Sequence, residues 1–179
     1  MRKIYVAGPD IFRPTWPDTA RKIVNACASW GLEALLPIPA DQSLDRPEVP
    51  GITMPGKAQD ANAVFASCLD MIRSCDAVVA NITPFRGDEP DSGTVFEIAT
   101  AYALGKPVVA YTRDTRLTHE RHAHNGNNTA YGALVCRSGY LVEQFDLPCN
   151  VMVAQACKAI VFGDVISALL ALKNLSFDA

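Results

Sequence analysis

Apolar positions along this chain follow two rhythms that alternate. Lys3 to Ala7, Ala77 to Ile82, Val108 to Tyr111 and Ala159 to Phe162 are short, nearly unbroken apolar runs, and each reads as a buried strand. Glu33 to Leu36 is a further strand, stopped by Pro37 and Pro39. Between these runs the apolar spacing lengthens to three and four. Pro17 to Trp30 sets Ala20, Ile23, Val24, Cys27 and Trp30 on one side of a helix that Gly31 closes. Asp60 to Ser74 repeats the rhythm through Val64, Cys68, Met71 and Ile72. Thr94 to Leu104 is a third helix, with Phe96, Ile98 and Ala101 expected inside and Gly105-Lys106-Pro107 as its stop. Asp164 to Lys173 is the closing amphipathic helix, capped by Gly163 or Asp164.

Two stretches break the alternation. Residues 37 to 58 hold five prolines and two glycines, an excursion of a length that is usually functional or mobile. Residues 112 to 138 are polar and irregular, rich in His, Asn and Arg. There is no internal repeat and no low-complexity tract.

Strands alternating with helices at this spacing imply βαβ units and a parallel sheet covered on both faces. Five strands predict a flavodoxin-like, doubly wound α/β fold, with residues 1 to 179 forming one domain. Ligands of such sheets bind beyond the carboxyl ends of the strands, where the strand order reverses. That rule gathers Gly8 to Phe12, the loop 83 to 93 and the loop after Tyr111 around one crevice.

Composition narrows the class. The net charge is −3 with no basic block, which argues against a nucleic-acid partner and leaves small molecules as the expected ligands. Six cysteines at 27, 68, 75, 136, 149 and 157 form no CxxC pair, and read as buried thiols in a reducing compartment. No segment approaches the roughly 20 apolar residues of a membrane span. The N-terminal MRKIYVAGPD is a first strand cut off by Pro9-Asp10, so a cytoplasmic protein is expected.

The crevice carries the candidate chemistry. PDSGTVFE, residues 90 to 97, sets Asp91 and Glu97 around a small-residue turn formed with Ser92 and Gly93. Tyr5 lies near the end of the first strand, with Gly8, Asp10 and Phe12 beyond it. Glycine permits close approach of the backbone to a ligand, and Phe12 offers a face for a planar ring. Two carboxylates can divide the breaking of a glycosidic bond, one attacking or shielding the sugar carbon while another acid assists the leaving group. Tyr5 can donate a hydrogen bond that orients Glu97. Plainer roles stand beside these: Glu97 as a solvated helix acid, Asp91 as an N-cap, Tyr5 as a core ring and Phe12 as an apolar anchor of its loop.

Three segments together, KIYVAGPDIF at 3–12, CDAVVANITPFRGDEPDSGTVFEIATAYALGKPVVAY at 75–111 and GYLVEQFDLPCNVMV at 139–153, resemble the nucleoside 2-deoxyribosyltransferase family in its own order. The resemblance implies a homo-oligomeric enzyme that moves 2-deoxyribose between nucleobases with retention, using neither metal nor cofactor. It makes Glu97 the nucleophile, Tyr5 the residue that orients it, Asp91 the binder of sugar hydroxyls and Phe12 a wall for the base. It also sends Asn150 and Met152 into the site of a neighbouring subunit, so that a dimer is the minimum unit; their plainer roles are a helix cap near Val151 and a core side chain.

One position departs from the family pattern. Where some members carry an aspartate against the base, this chain has Cys68, with Asp70 on a different face. Asp10 is the substitute candidate for proton delivery. Hydrolysis of deoxynucleosides or their 5'-monophosphates on the same scaffold, and a non-catalytic nucleotide-binding module, are the competing functions. The histidines in THERHAHNGN lack the HExxH spacing and read as an exposed loop without a metal. Neither GxGxxG nor a P-loop occurs, and Ser92 has no histidine partner at a recognisable spacing.

Overall fold

The two central strands are short, strongly apolar runs, and their surroundings follow from that. The computed structural model describes residues 1–37, 58–122, 129–130 and 132–175. All five residues of β3 (Ala77–Asn81) and of β4 (Val108–Thr112) are buried, as expected of strands covered on both faces. They join β1 (Arg2–Ala7), β2 (Leu32–Leu35) and, named in chain order below, β7 (Ala159–Phe162) in one parallel sheet of order β2-β1-β3-β4-β7. This is the flavodoxin-like order, and it reverses between β1 and β3.

Among the described residues six helices accompany the sheet: α1 (Trp16–Ser29), α2 (Ala58–Ser74), α3 (Ser92–Ala103), the short α4 (Thr118–His122), α5 (Val151–Gln155) and α6 (Val165–Asn174). Alternation along β1 sends Ile4 and Val6 to a core with Ala20, Ile23 and Cys27 of α1 and Leu169 and Leu172 of α6. Tyr5 and Ala7 point the other way, into a core with Ile72 of α2, Ile98 and Ala101 of α3, and Val153 of α5. Fully burying an aliphatic side chain such as Ile98 contributes roughly 1.5–3 kcal/mol. The period of two thus decides that Tyr5 lies under α2 and α3.

Helix α3 begins at Ser92, two residues earlier than expected, because the Asp91 carboxylate accepts the Thr94 N–H at 2.9 Å and caps it. It ends as expected. The Gly105 N–H reaches the Tyr102 carbonyl and the Lys106 N–H the Ala101 carbonyl, a Schellman motif that needs the positive φ of Gly105 at 69°. Phe96 departs from expectation. It is 50% exposed, because the inner face runs through Thr94, Ile98 and Ala101, and Phe96 lies about 200° around the helix from Ile98. Its ring meets Phe65 of α2 at 5.9 Å instead.

The polar segment after β4 is more ordered than its composition suggested. It contains α4, so THERH is a helical turn and not a bare loop, followed by β5 (Thr129–Ala130) and β6 (Ala133–Leu134), a small antiparallel pair. Most of the proline-rich excursion, residues 38 to 57, lies outside the described residues, as does His124. All six cysteines are free thiols, and no described helix is long and apolar enough to cross a membrane.

Candidate active site

The strand order reverses between β1 and β3, the point where sheets of this kind leave a crevice beyond the carboxyl ends of their strands, and α3 follows the loop that leaves β3. Tyr5 is fully buried, and its Oη donates to Glu97 Oε1 at 2.5 Å across 92 residues of sequence. Such a length belongs to a charge-assisted O–H···O⁻ bond. Glu97 stands on the second turn of α3, on the flank between the buried Thr94–Ile98 stripe and the exposed Phe96. Burial pushes its pKa up to about 7, the Tyr5 bond opposes that rise, and the charge of Asp91 adds to it. Burial together with the adjacent carboxylate drives the Tyr5 phenol far above its usual range, so Tyr5 is a fixed donor. The result is a carboxylate that ionises near neutrality and is held at one oxygen, while the other receives no hydrogen bond from a described residue.

Asp91 caps α3, and the Thr94 N–H and Oγ1 both bond to its Oδ2, at 2.9 and 3.0 Å. Oδ1 receives no hydrogen bond from a described residue. Ser92 and Gly93 form the exposed first turn beside it. Capping therefore fixes the carboxylate without consuming it, and the two roles open for Asp91 are compatible.

The turn after β1 is a 3-10 helix over Pro9–Phe12. Gly8 enters it at φ 151° and ψ 163°, and a Cβ there would come within 2.7 Å of Asn81 Cβ. Asp10 is buried. Its Oδ2 accepts from Asn81 Nδ2 at 2.7 Å and from Tyr111 Oη at 3.1 Å, while Oδ1 faces Arg13 Nε at 3.5 Å. Asn81 also accepts the Thr83 N–H at 2.9 Å, so one side chain ties this turn to the loop after β3. Phe12, at 37% exposed, stacks on Phe85 of that loop with centroids 5.5 Å apart.

The remaining expected residues lie farther along the chain. Asn150 is the N-cap of α5, accepting the Met152 N–H at 2.9 Å and donating to Glu143 Oε1 at 3.0 Å. Met152 is 77% exposed and so is not a core side chain. Asp70 pairs with Arg73 at 3.0 Å on the outer face of α2.

The structure gives Cys68 its setting and adds one contributor, Arg121, that the sequence does not mark. Cys68 interacts with both the Tyr5 hydroxyl and the Glu97 charge, and its thiol is pushed up by burial. Arg121 is buried, and among the described residues its guanidinium donates only to carbonyls, those of Asp88, Arg116 and Pro148. His122 beside it meets Glu89 at 2.7 Å. Helix α4 thereby braces the loop that delivers Asp91. A cavity of about 490 Å³ lies between this loop and residues 136 to 140; neither Tyr5 nor Glu97 lines it. Among the described residues no group of three His, Cys, Asp or Glu side chains is arranged to hold a metal.

The Tyr5 bond has a measurable consequence. Tyr5→Phe removes the contact that lowers the Glu97 pKa, so the acid limb of the pH–rate profile is expected to move above about 7. A profile identical to the parent protein would mean that the phenol does not tune the acid.

Comparison with known proteins adds to this geometry. The family model described as nucleoside 2-deoxyribosyltransferase matches residues 4–152. A solved 2-desoxiribosyltransferase from Leishmania mexicana is 28% identical, covers 96% of this chain and 97% of its own, and superposes with a TM-score of 0.71. A conserved protein from Enterococcus faecalis V583 is 19% identical with a TM-score of 0.54, covering 96% of this chain and 99% of its own, and shares the fold. An uncharacterised protein of Schizosaccharomyces pombe is 24% identical over 119 residues, which is 66% of this chain; the chain spans only 53% of that relative's length.

Proposed function

As the chain belongs to the nucleoside 2-deoxyribosyltransferase family, we propose that it transfers 2-deoxyribose between nucleobases, with 2'-deoxynucleosides and free bases as substrates. The observation that carries this reading is Glu97, a carboxylate ionising near neutrality, held by Tyr5 at 2.5 Å in the strand-reversal crevice. In this reading Glu97 attacks C1' of the sugar. The C1'–N bond breaks, its electron pair leaves with the base, and the base takes up a proton. A ring nitrogen of a second base then attacks C1' and loses its proton, and the ester bond breaks to restore the Glu97 carboxylate. Two inversions give net retention. Lacking a 2'-hydroxyl, the sugar cation is less destabilised, so one activated carboxylate suffices without a metal.

Asp91 offers its unbonded Oδ1 to a sugar hydroxyl, with Ser92 and Gly93 beside it. Gly8 lets the chain turn close to the ligand, and Phe12 walls the base. Asp10 shapes that wall through Asn81 and Tyr111. The active unit is a dimer in which Met152, exposed next to the Asn150 cap, reaches the partner's crevice.

Incubation with deoxyinosine, with and without adenine, tests the reading. New deoxyadenosine is expected, with specific activity that falls as the dimer is diluted. Free deoxyribose released at a rate indifferent to adenine would replace transfer with hydrolysis. Bound nucleoside without any product would leave a binding module, and dilution without effect would remove the shared site.

A further inference from the structure

Arg86 occupies a conformation that its residue type does not favour. Its φ is +53°, in the left-handed region where non-glycine residues are uncommon, and it is followed by Gly87 in another turn conformation. The loop that imposes this is closed by the Phe85 N–H on the Glu89 carbonyl at 2.9 Å. The backbone therefore places the Arg86 guanidinium 4.6 Å from the Phe85 ring centroid and 5.3 Å from that of Phe12. It is exposed, and no described carboxylate pairs with it. The two neighbouring acids are engaged elsewhere: Glu89 meets His122 at 2.7 Å, and Asp88 lies 4.0 Å from the same ring. Arg13, the other cation of this rim, is turned toward Asp10.

An unpaired guanidinium held on an aromatic platform by a constrained loop is a planar array of donors whose orientation is set in advance. It stands over the ring that walls the base site. We infer that Arg86 selects the nucleobase, recognising 6-oxopurines through their adjacent O6 and N7 acceptors. This rests on the deoxyribosyl-transfer reading above. A guanidinium has no acceptor, so it matches two adjacent acceptors and mismatches adenine, which sets the N6 donor beside N7. Pyrimidines lack the paired O6/N7 edge altogether. Phe12 and Phe85 supply stacking that every base can use, so they set affinity, and Arg86 sets preference.

The test compares hypoxanthine with adenine as acceptors from 2'-deoxyguanosine, whose base carries the same O6/N7 edge, by kcat/KM, in the parent protein and in Arg86→Ala and Arg86→Lys. The parent is expected to prefer hypoxanthine. Arg86→Ala is expected to reduce the hypoxanthine-to-adenine ratio by about tenfold or more, as one bidentate contact commonly does. Arg86→Lys keeps the charge and loses the fork, so the ratio is expected to stay low. An unchanged ratio in Arg86→Ala, an equal loss for both bases, or full recovery in Arg86→Lys would overturn the assignment while leaving transfer intact. No transfer from the parent to either base would overturn the functional reading, and base selection with it.

Discussion

Glu97→Gln is expected to reduce base exchange on the order of 10⁴-fold while leaving the fold intact. The amide keeps the shape of the side chain and can still accept from Tyr5, but it cannot form the ester to C1'. The same variant separates chemistry from stability. The Glu97 pKa is raised from 4.5 to about 7 in the folded chain, chiefly by burial. A carboxyl shifted upward favours the folded state fully below its unfolded pKa, and that contribution is lost as pH rises through the folded value. Above pH 7 the buried charge therefore costs on the order of 3 kcal/mol, an upper figure given the partial exposure of the side chain.

Glu97→Gln should accordingly gain stability relative to the parent as pH rises from 5 to 8. Urea unfolding at the two pH values measures this, and parallel curves for the two proteins would refute the raised pKa. Activity of the parent is expected to follow the opposite course, because the proposed nucleophile must be ionised. In the free enzyme kcat/KM is expected to climb through about pH 7, the range in which stability falls. A parent-like rate in Glu97→Gln would remove the nucleophile assignment altogether. The carboxylate proposed to react is thus also one that the fold holds at a cost, a relation common at catalytic sites.

The reasons for what was legible in the sequence are visible in individual residues. The sheet could be read because β3 and β4 are apolar without interruption and the helices between them carry a three-to-four spacing; each signal is local. The pairing of Tyr5 with Glu97 spans 92 residues and no local pattern reports it. It became an expectation only because the rule that gathers strand ends around one crevice and the resemblance of PDSGTVFE to a known family agreed. Phe96 was misplaced because hydrophobicity was weighed without its angle around α3. Helix α4 has five residues, too few to display a period. Arg121 is buried among carbonyls from three separate segments, and nothing in its neighbours marks it as different from Arg113 or Arg116. The bonds that occupy Asp10 come from Asn81 and Tyr111, at the ends of two other strands.

Gly8→Ala is expected to lower stability by about 3 kcal/mol or more and to reduce exchange with it. Two independent penalties meet at this position. With φ at 151° and ψ at 163°, the backbone lies in a region that only glycine adopts readily. The added Cβ would also come within 2.7 Å of Asn81 Cβ, and Asn81 is buried in the end of a central strand that cannot move aside. Asn81 holds Asp10 and the Thr83 N–H, so relief of that contact displaces both the turn carrying Phe12 and the loop carrying Phe85 and Arg86. The chemistry at Glu97 is reached from α3 and β1 and is not touched directly. The surviving folded enzyme, assayed below its melting temperature, is therefore expected to show a raised KM for the acceptor base with a smaller change in kcat. Retention of both stability and acceptor KM would mean that the crevice tolerates a side chain where the backbone turns. A fall in kcat alone would place the influence of Gly8 on the sugar and not on the base.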